Sequence, residues 1–124
     1  MGSSFNISAD REHVGPWTFT AEQVQESILR HWPQATVSGA FENFLEIVAD
    51  VGAARSAELS YNLRHAVFSF EDRGSPVAPL TVIHQVLHDL APTVPVVWWI
   101  DYDVDLQPLD LTGGLDAFIA GFPA

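Results

Sequence analysis

The chain has 124 residues, of which 48% are hydrophobic, no cysteine, and a formal net charge of −11 at pH 7. This length and hydrophobic fraction are typical of a single folded domain and argue against a disordered chain, and the lack of cysteine excludes disulfides and thiolate metal sites. The acidic charge disfavours binding to nucleic acids and to anionic membranes, because both present phosphates, and it favours a basic partner.

Residues 1–17 are predicted to form a loosely docked N-terminal arm that Trp17 anchors to the domain. The first residues lack the basic segment and apolar core of a signal peptide, and no apolar stretch is long enough to span a membrane. A soluble cytoplasmic protein is therefore expected. The residues Gly2-Ser3-Ser4 are compatible with a native start and with a cloning remnant alike.

Two helices are predicted from their end signals and apolar stripes. The sequence Thr20-Ala21-Glu22-Gln23 fits a capping box and opens a helix over residues 20–32, which Pro33 ends. A second helix is predicted over about residues 79–90, where four apolar residues recur at helical spacing and the polar residues between them form the opposite, solvated face. The four are Leu80, Ile83, Leu87 and Leu90, and the polar face comprises Thr81, His84, Gln85 and His88.

Between the two helices the hydrophobic period changes to two, which indicates strands. Strands are predicted over residues 44–51, 56–63 and 66–71, and together they favour an antiparallel meander with one face in water. After the second helix, residues 96–100 form an uninterrupted apolar run that predicts a central strand buried on both faces, followed by an edge strand around residues 104–109. This order predicts an α+β fold, with a mostly antiparallel sheet of about four to six strands, two main helices and a short C-terminal helix.

The apolar run ends in three aspartates at alternate positions, Asp101, Asp103 and Asp105. In strand geometry they would lie about 6–7 Å apart on one face, where Mg²⁺, Mn²⁺ or Ca²⁺ would keep them ionised. An EF-hand loop starting at Asp101 is excluded because Leu106 and Thr112 replace its glycine and its last acid. Too few residues follow for a haloacid-dehalogenase-type phosphatase domain, and Gly74-Ser75 lies too far upstream for a minimal nucleotidyltransferase.

His84 and His88 are four residues apart on the second predicted helix, so both imidazoles can face the same side, as in some Zn²⁺ sites. A usable site needs at least one more ligand, and the neighbouring Asp89 points elsewhere on the helix. A solvated polar face is the simpler interpretation, and no cofactor is expected. The sequence contains no cysteine and no nucleophile elbow, so an enzymatic activity has no support.

Trp98 and Trp99 are consecutive in the apolar run and must point to opposite faces of a strand. If one face of the sheet has no covering layer, Trp99 can contribute to an exposed aromatic patch of the kind found at protein interfaces.

The preferred interpretation is a small acidic protein-binding module that neutralises or docks onto a basic protein. In size, charge and architecture the chain resembles bacterial immunity and antitoxin proteins, and this resemblance implies that its carboxylates cover a cationic surface of a nuclease or toxin. The residues expected to bind the partner are Asp101, Asp103, Asp105, Asp110 and Trp99. Two alternatives are a divalent-metal protein or metal-dependent enzyme using the three aspartates, with or without His84 and His88, and an oligomeric structural subunit such as a homodimer.

Overall fold

The computed structural model describes residues 4–10, 12–52, 55–71, 75–100 and 103–122, with the backbone only for residues 103–105. Within these ranges the chain forms seven strands and three helices. In chain order they are β1 (Ser4–Ala9), α1 (Ala21–His31), β2 (Thr36–Ala40), β3 (Phe44–Gly52), β4 (Arg55–Asn62), β5 (Val67–Glu71), α2 (Val77–Leu90), β6 (Val96–Ile100), β7 (Asp103–Leu109) and α3 (Leu115–Ala120).

All strands join one antiparallel sheet in the order β2-β3-β4-β5-β1-β6-β7. The α+β class and the antiparallel sheet are therefore confirmed, while the sheet has seven strands in the described ranges instead of the four to six predicted. The prediction that the Trp-containing strand is central was wrong, because β6 lies next to the edge strand β7. It is also not buried on both faces: Val96 and Val97 are buried, but Trp98, Trp99 and Ile100 are only partly so.

Residues 4–9, which the sequence assigned to the N-terminal arm, form β1 inside the sheet. β1 pairs with β5 on one side and with β6 on the other. Its residues Phe5, Ile7 and Ala9 are buried and alternate with the more polar Ser4, Asn6 and Ser8. Such alternation is what a strand with one face on the core requires.

The helices cover one face of the sheet. The predicted capping box of α1 is present: the Gln23 amide donates to Thr20 Oγ1 (3.1 Å), and the Thr20 amide donates to Gln23 Oε1 (2.8 Å). The central helix α2 contacts α1, α3, β3 and β4, so it holds the layer together. Its residues Leu80, Ile83 and Leu87 are fully buried, as the predicted stripe requires.

The core lies between this helical layer and one face of the sheet. The largest fully buried side chains on that face of the sheet are Ile7, Leu45, Ile47, Tyr61 and Phe68. Trp98 contributes to the same face, where its ring lies 4.7 Å from that of Phe122 and 6.0 Å from that of Phe5. No helix in the described part of the chain is long and apolar enough to cross a membrane.

Candidate functional site

The face of the sheet opposite the helices is exposed along β3 but buried at Ser8 and Val97 of β1 and β6, and we call it the open face. Strand register places one residue of each of six neighbouring strands in a single row across it. The row reads Ser38, Glu46, Ser60, Ser69, Asn6 and Trp99. Residues paired across strands share a face of the sheet, so the open face carries a polar centre and has Trp99 near one side.

The centre of this row is held by hydrogen bonds. The Ser69 hydroxyl donates to Asn6 Oδ1 at 2.8 Å, and the Ser60 hydroxyl donates to the Ser69 carbonyl oxygen at 3.4 Å. The Asn6 side-chain amide donates to the Ser4 carbonyl oxygen at 3.5 Å. Because these groups are held by neighbouring strands, the polar centre of the open face is ordered before any partner arrives.

Apolar side chains flank the only charged residue of the row. Phe44 is 38% exposed and Val48 is 44% exposed, and both lie two residues from Glu46 on β3, so all three share the open face. Each of these apolar residues leaves a large surface in contact with water. Phe44 and Val48 with Glu46 between them make up the β3 patch.

A cavity of about 520 Å³ opens on the open face beside the β3 patch. Its wall includes both apolar residues of the patch, serines of three strands and of the segment before α2, and glutamates from three strands. The ionisable residues among its described lining are all glutamates, namely Glu46, Glu58 and Glu71. The described lining therefore contains three carboxylates and no Arg or Lys.

The three aspartates predicted after β6 lie at the limit of what the structure describes. Asp101 lies outside the described residues. Asp103 and Asp105 belong to β7, and the backbone of Asp103 pairs with that of Ile100 in the β6–β7 hairpin. The side chains of all three lie outside what the structure describes, so a metal site at these aspartates stays a prediction from the sequence.

Asp110 stabilises the turn between β7 and α3. Its Oδ1 accepts hydrogen bonds from the Gly113 amide at 2.9 Å and from the Thr112 hydroxyl at 3.1 Å. A Cβ on Gly113 would lie 2.6 Å from Asp110 Oδ2, so any larger residue here would require the carboxylate to shift. Asp110 is exposed and remains accessible to a partner, but its Oδ1 already accepts the hydrogen bonds of the turn.

His84 does not lie on a solvated face, so that prediction was wrong. It is 9% exposed, and its ring lies 5.3 Å from Phe118 of α3 and 6.1 Å from His88. The cause is α3, which packs against this side of α2. Burial lowers the pKa of His84 and the nearby His88 lowers it further, while a hydrogen bond with the Leu111 backbone acts in the opposite direction.

Asp89 Oδ1 lies 4.0 Å from His88 Nδ1, but no described residue forms a group of three close ligand atoms with His84 and His88. The only described group of three His, Asp or Glu ligand atoms close enough to hold an ion is Asp10, Glu12 and His13. That group lies in a surface turn, where His13 Nδ1 and Asp10 Oδ2 are 2.8 Å apart. It has no buried ligand atom that would favour an ion over water.

A polar cluster between α1 and α2 was not predicted. The carboxylate of Asp89 accepts hydrogen bonds from Ser27 Oγ (2.7 Å) and Gln85 Nε2 (3.1 Å), and His31 Nε2 lies 3.1 Å away. Burial raises the pKa of Asp89, but the hydrogen bonds of Ser27, His31 and Gln85 outweigh it, and the net pKa is lowered. The cluster is structural, since it ties the two long helices together. No sequence signal could have found it, because Ser27 and Asp89 are 62 positions apart.

No family model, curated protein or solved structure matches this chain. Its function has to be argued from the geometry of the open face and of the cavity in it.

Proposed function

We propose that the protein is an acidic binding module that docks a basic protein partner onto its open face. The β3 patch is the observation that carries this proposal. There, two exposed apolar side chains flank a carboxylate on the open face of the sheet. Beside the patch lies a cavity whose described lining contains three glutamates and no Arg or Lys.

Each component of the open face has a separate role in binding. Burying Phe44 and Val48 under a partner would supply affinity, at roughly 25 cal/mol for each Å² of apolar surface removed from water. The carboxylates would steer a basic partner toward the face and reject acidic proteins, which mainly raises the association rate and the specificity. The ordered row of Ser60, Ser69 and Asn6 offers hydrogen-bonding groups that need little rearrangement.

The residues predicted from the sequence extend this surface along β6. Trp99 lies on the open face opposite Asn6, and it is proposed as an aromatic anchor at the side of the face away from the β3 patch. Asp101, Asp103 and Asp105 follow Trp99 in the chain, and Asp110 follows β7. In this proposal their carboxylates extend the acidic surface beyond Trp99. A role like that of immunity or antitoxin proteins, which cover a cationic toxin surface, is compatible with such a face.

The test places a photo-crosslinking amino acid at Val48 and, as a control, at Glu26 on α1. Crosslinking in a lysate of the source cells is followed by mass spectrometry, and the captured protein is then purified and titrated against the module by calorimetry. We expect a basic protein captured from Val48 alone. Glu46→Arg should weaken its affinity about 10-fold or more, while Glu26→Arg makes the same charge change on the helical layer and should leave the affinity unchanged.

Equal effects of Glu46→Arg and Glu26→Arg would show that only net charge matters and would refute docking on the open face. An acidic captured protein would refute the choice of partner. Phe44→Ser tests the apolar part of the β3 patch without changing the charge. Its affinity should fall through a faster dissociation rate, because the lost apolar contact acts within the bound complex.

A further inference from the structure

The sheet ends in two edge strands that differ in their chemistry. In the order of the described strands, β2 and β7 each have a neighbour on one side only. β7 contains Pro108, which has no amide hydrogen, and the acidic residues Asp103 and Asp105. Proline and charge on an edge strand discourage pairing with a further strand. β2 contains neither proline nor a charged residue, so its edge lacks both protections.

The backbone of β2 offers hydrogen-bonding groups to an added strand. All five residues of β2 pair with β3 without a register shift. In an antiparallel pair the hydrogen bonds to one neighbour involve every second residue, so two or three residues of β2 direct their N–H and C=O groups away from β3. Such groups are a template for another strand. At roughly 3.3 Å per residue the edge is about 16 Å long, which suits a segment of about five residues.

The side chains of β2 on the open face are small, and each lies opposite one residue of the β3 patch. The pairs are Thr36 with Val48, Ser38 with Glu46, and Ala40 with Phe44. The larger side chains of the β3 patch therefore stand beside a low floor that extends to the free edge of the sheet. We call this floor, formed by Thr36, Ser38 and Ala40, the β2 trough.

The β3 patch selects the side chains of a strand added along the β2 trough. Such a strand would lie two strand spacings from β3, which is about 9–10 Å at roughly 4.8 Å each. An arginine or lysine opposite Ser38 can extend over this short side chain to the carboxylate of Glu46. Glu46 is exposed and forms no ion pair with a described residue. Apolar residues two positions to either side of the basic residue would extend toward Phe44 and Val48.

We infer that the free edge of β2 accepts an extended segment of the basic partner, in which an arginine or lysine lies between two apolar residues at alternate positions. Extended peptides bind sheet edges in this way, through main-chain hydrogen bonds and alternate side chains. The inference rests on the proposed docking of a basic protein to the open face and specifies the element that holds it. The net charge of −11 favours a basic segment over a second copy of the chain, which would bring a second Glu46 toward the same edge.

The probe is an acetylated and amidated heptapeptide in which four threonines alternate with valine, arginine and valine. It is titrated into the intact protein by calorimetry, and amide hydrogen exchange is followed by NMR. We expect saturable binding and at least about 10-fold slower exchange at alternate amides of residues 36–40, because the added strand hydrogen-bonds to them. A peptide with glutamate in place of the arginine should bind at least about 10-fold more weakly.

Two further peptides separate backbone pairing from attraction by charge alone. One carries N-methyl groups on the threonines, and the other carries them on the valines and the arginine. Only one of the two should lose affinity, by at least about 10-fold, because only every second N–H group of the peptide faces β2. Equal affinities of the two methylated peptides, or unchanged exchange at residues 36–40, would overturn strand addition.

Ser38→Arg places a guanidinium group in the β2 trough beside Glu46, and Ala120→Arg makes the same charge change at an exposed position of α3. Only Ser38→Arg should weaken peptide binding by about 10-fold or more, with NMR spectra checking that both variants fold. If the partner captured from Val48 still depends on Glu46 while the amides of β2 stay unprotected, docking to the open face stands and strand addition is refuted. A dimer in light scattering with protected β2 amides would assign the edge to a second copy and would also overturn the inference.

Discussion

Replacing Asp89 with alanine should strongly destabilise the protein, because this carboxylate joins α1 to α2. Its side chain is only 14% exposed, and it accepts hydrogen bonds from Ser27 of α1 and Gln85 of α2. Glu26→Ala is the matched control. Glu26 is also an acid in a helix, but its contact with Arg30 spans 3.5 Å between side chains that are 74% and 57% exposed.

The expected size of the effect follows from the partners left behind. A hydrogen bond to a charged group contributes about 1.5–3 kcal/mol, and a buried polar group without a partner costs about 1–3 kcal/mol. Ser27 is 1% exposed, so Asp89→Ala removes the hydrogen-bond acceptor of a buried hydroxyl. Because these contributions overlap, we expect a loss of about 2–4 kcal/mol, compared with at most about 0.5 kcal/mol for the exposed pair of Glu26.

Urea unfolding followed by tryptophan fluorescence measures this loss, and its pH dependence provides a second readout. The folded-state pKa of Asp89 is lowered, so its contribution is complete above the unfolded pKa of about 3.9 and is lost as the pH falls through the lower folded pKa. The gap between wild type and Asp89→Ala should therefore narrow below about pH 4. Equal destabilisation by Asp89→Ala and Glu26→Ala, or a gap that stays constant down to pH 2, would refute this account.

Two further predictions concern His84 and Gly39. The pKa of His84 is lowered in the folded protein, so its contribution is complete above the unfolded pKa of about 6.5 and disappears as the pH falls through the folded value. His84→Leu should flatten the decline in urea midpoint below pH 6.5, and an unchanged decline would contradict burial of the neutral ring. Gly39 has φ +108°, and a Cβ there would lie 2.5 Å from the Phe44 carbonyl oxygen. Gly39→Ala should lower the free energy of unfolding by more than about 1 kcal/mol, whereas Ala40→Gly, on the same exposed edge strand, should cost less in the same urea assay.

The parts of the fold that local sequence determines could be predicted. The side chains of Thr20 and Gln23 each accept a hydrogen bond from the backbone amide of the other residue. Because both lie within one turn, four consecutive residues are enough to recognise the capping box. The alternation of Ala57, Leu59 and Tyr61 likewise needs only the period of a strand, and all three are buried on one face. The polar residues between them predicted that the other face of β4 is exposed to solvent, as the structure shows.

The parts that depend on distant contacts were missed. Phe5, Ile7 and Ala9 alternate as a strand, but this stretch is short and starts the chain, so it was assigned to an arm. Helical periodicity placed His84 on a polar face, yet α3 covers that side of α2, and periodicity cannot report which neighbour arrives there. For the same reason the charge of the chain pointed to the aspartates after β6, whereas the β3 patch becomes visible only once the uncovered side of the sheet is known.

β1 makes the strand pairings that are most distant in sequence among the described strands. Strands β2 to β5 can pair with neighbours in the chain, and β6 and β7 form a hairpin, so both pieces close short loops. β1 joins these two pieces, and its Asn6 meets Ser69 across 63 positions of sequence. The pairings of β1 with β5 and β6 span the longest stretches of sequence among the described strand pairs, so they carry the largest loop-closure entropy. Without β1 the sheet would fall into two parts, β2–β5 and β6–β7, and β1 joins them into one.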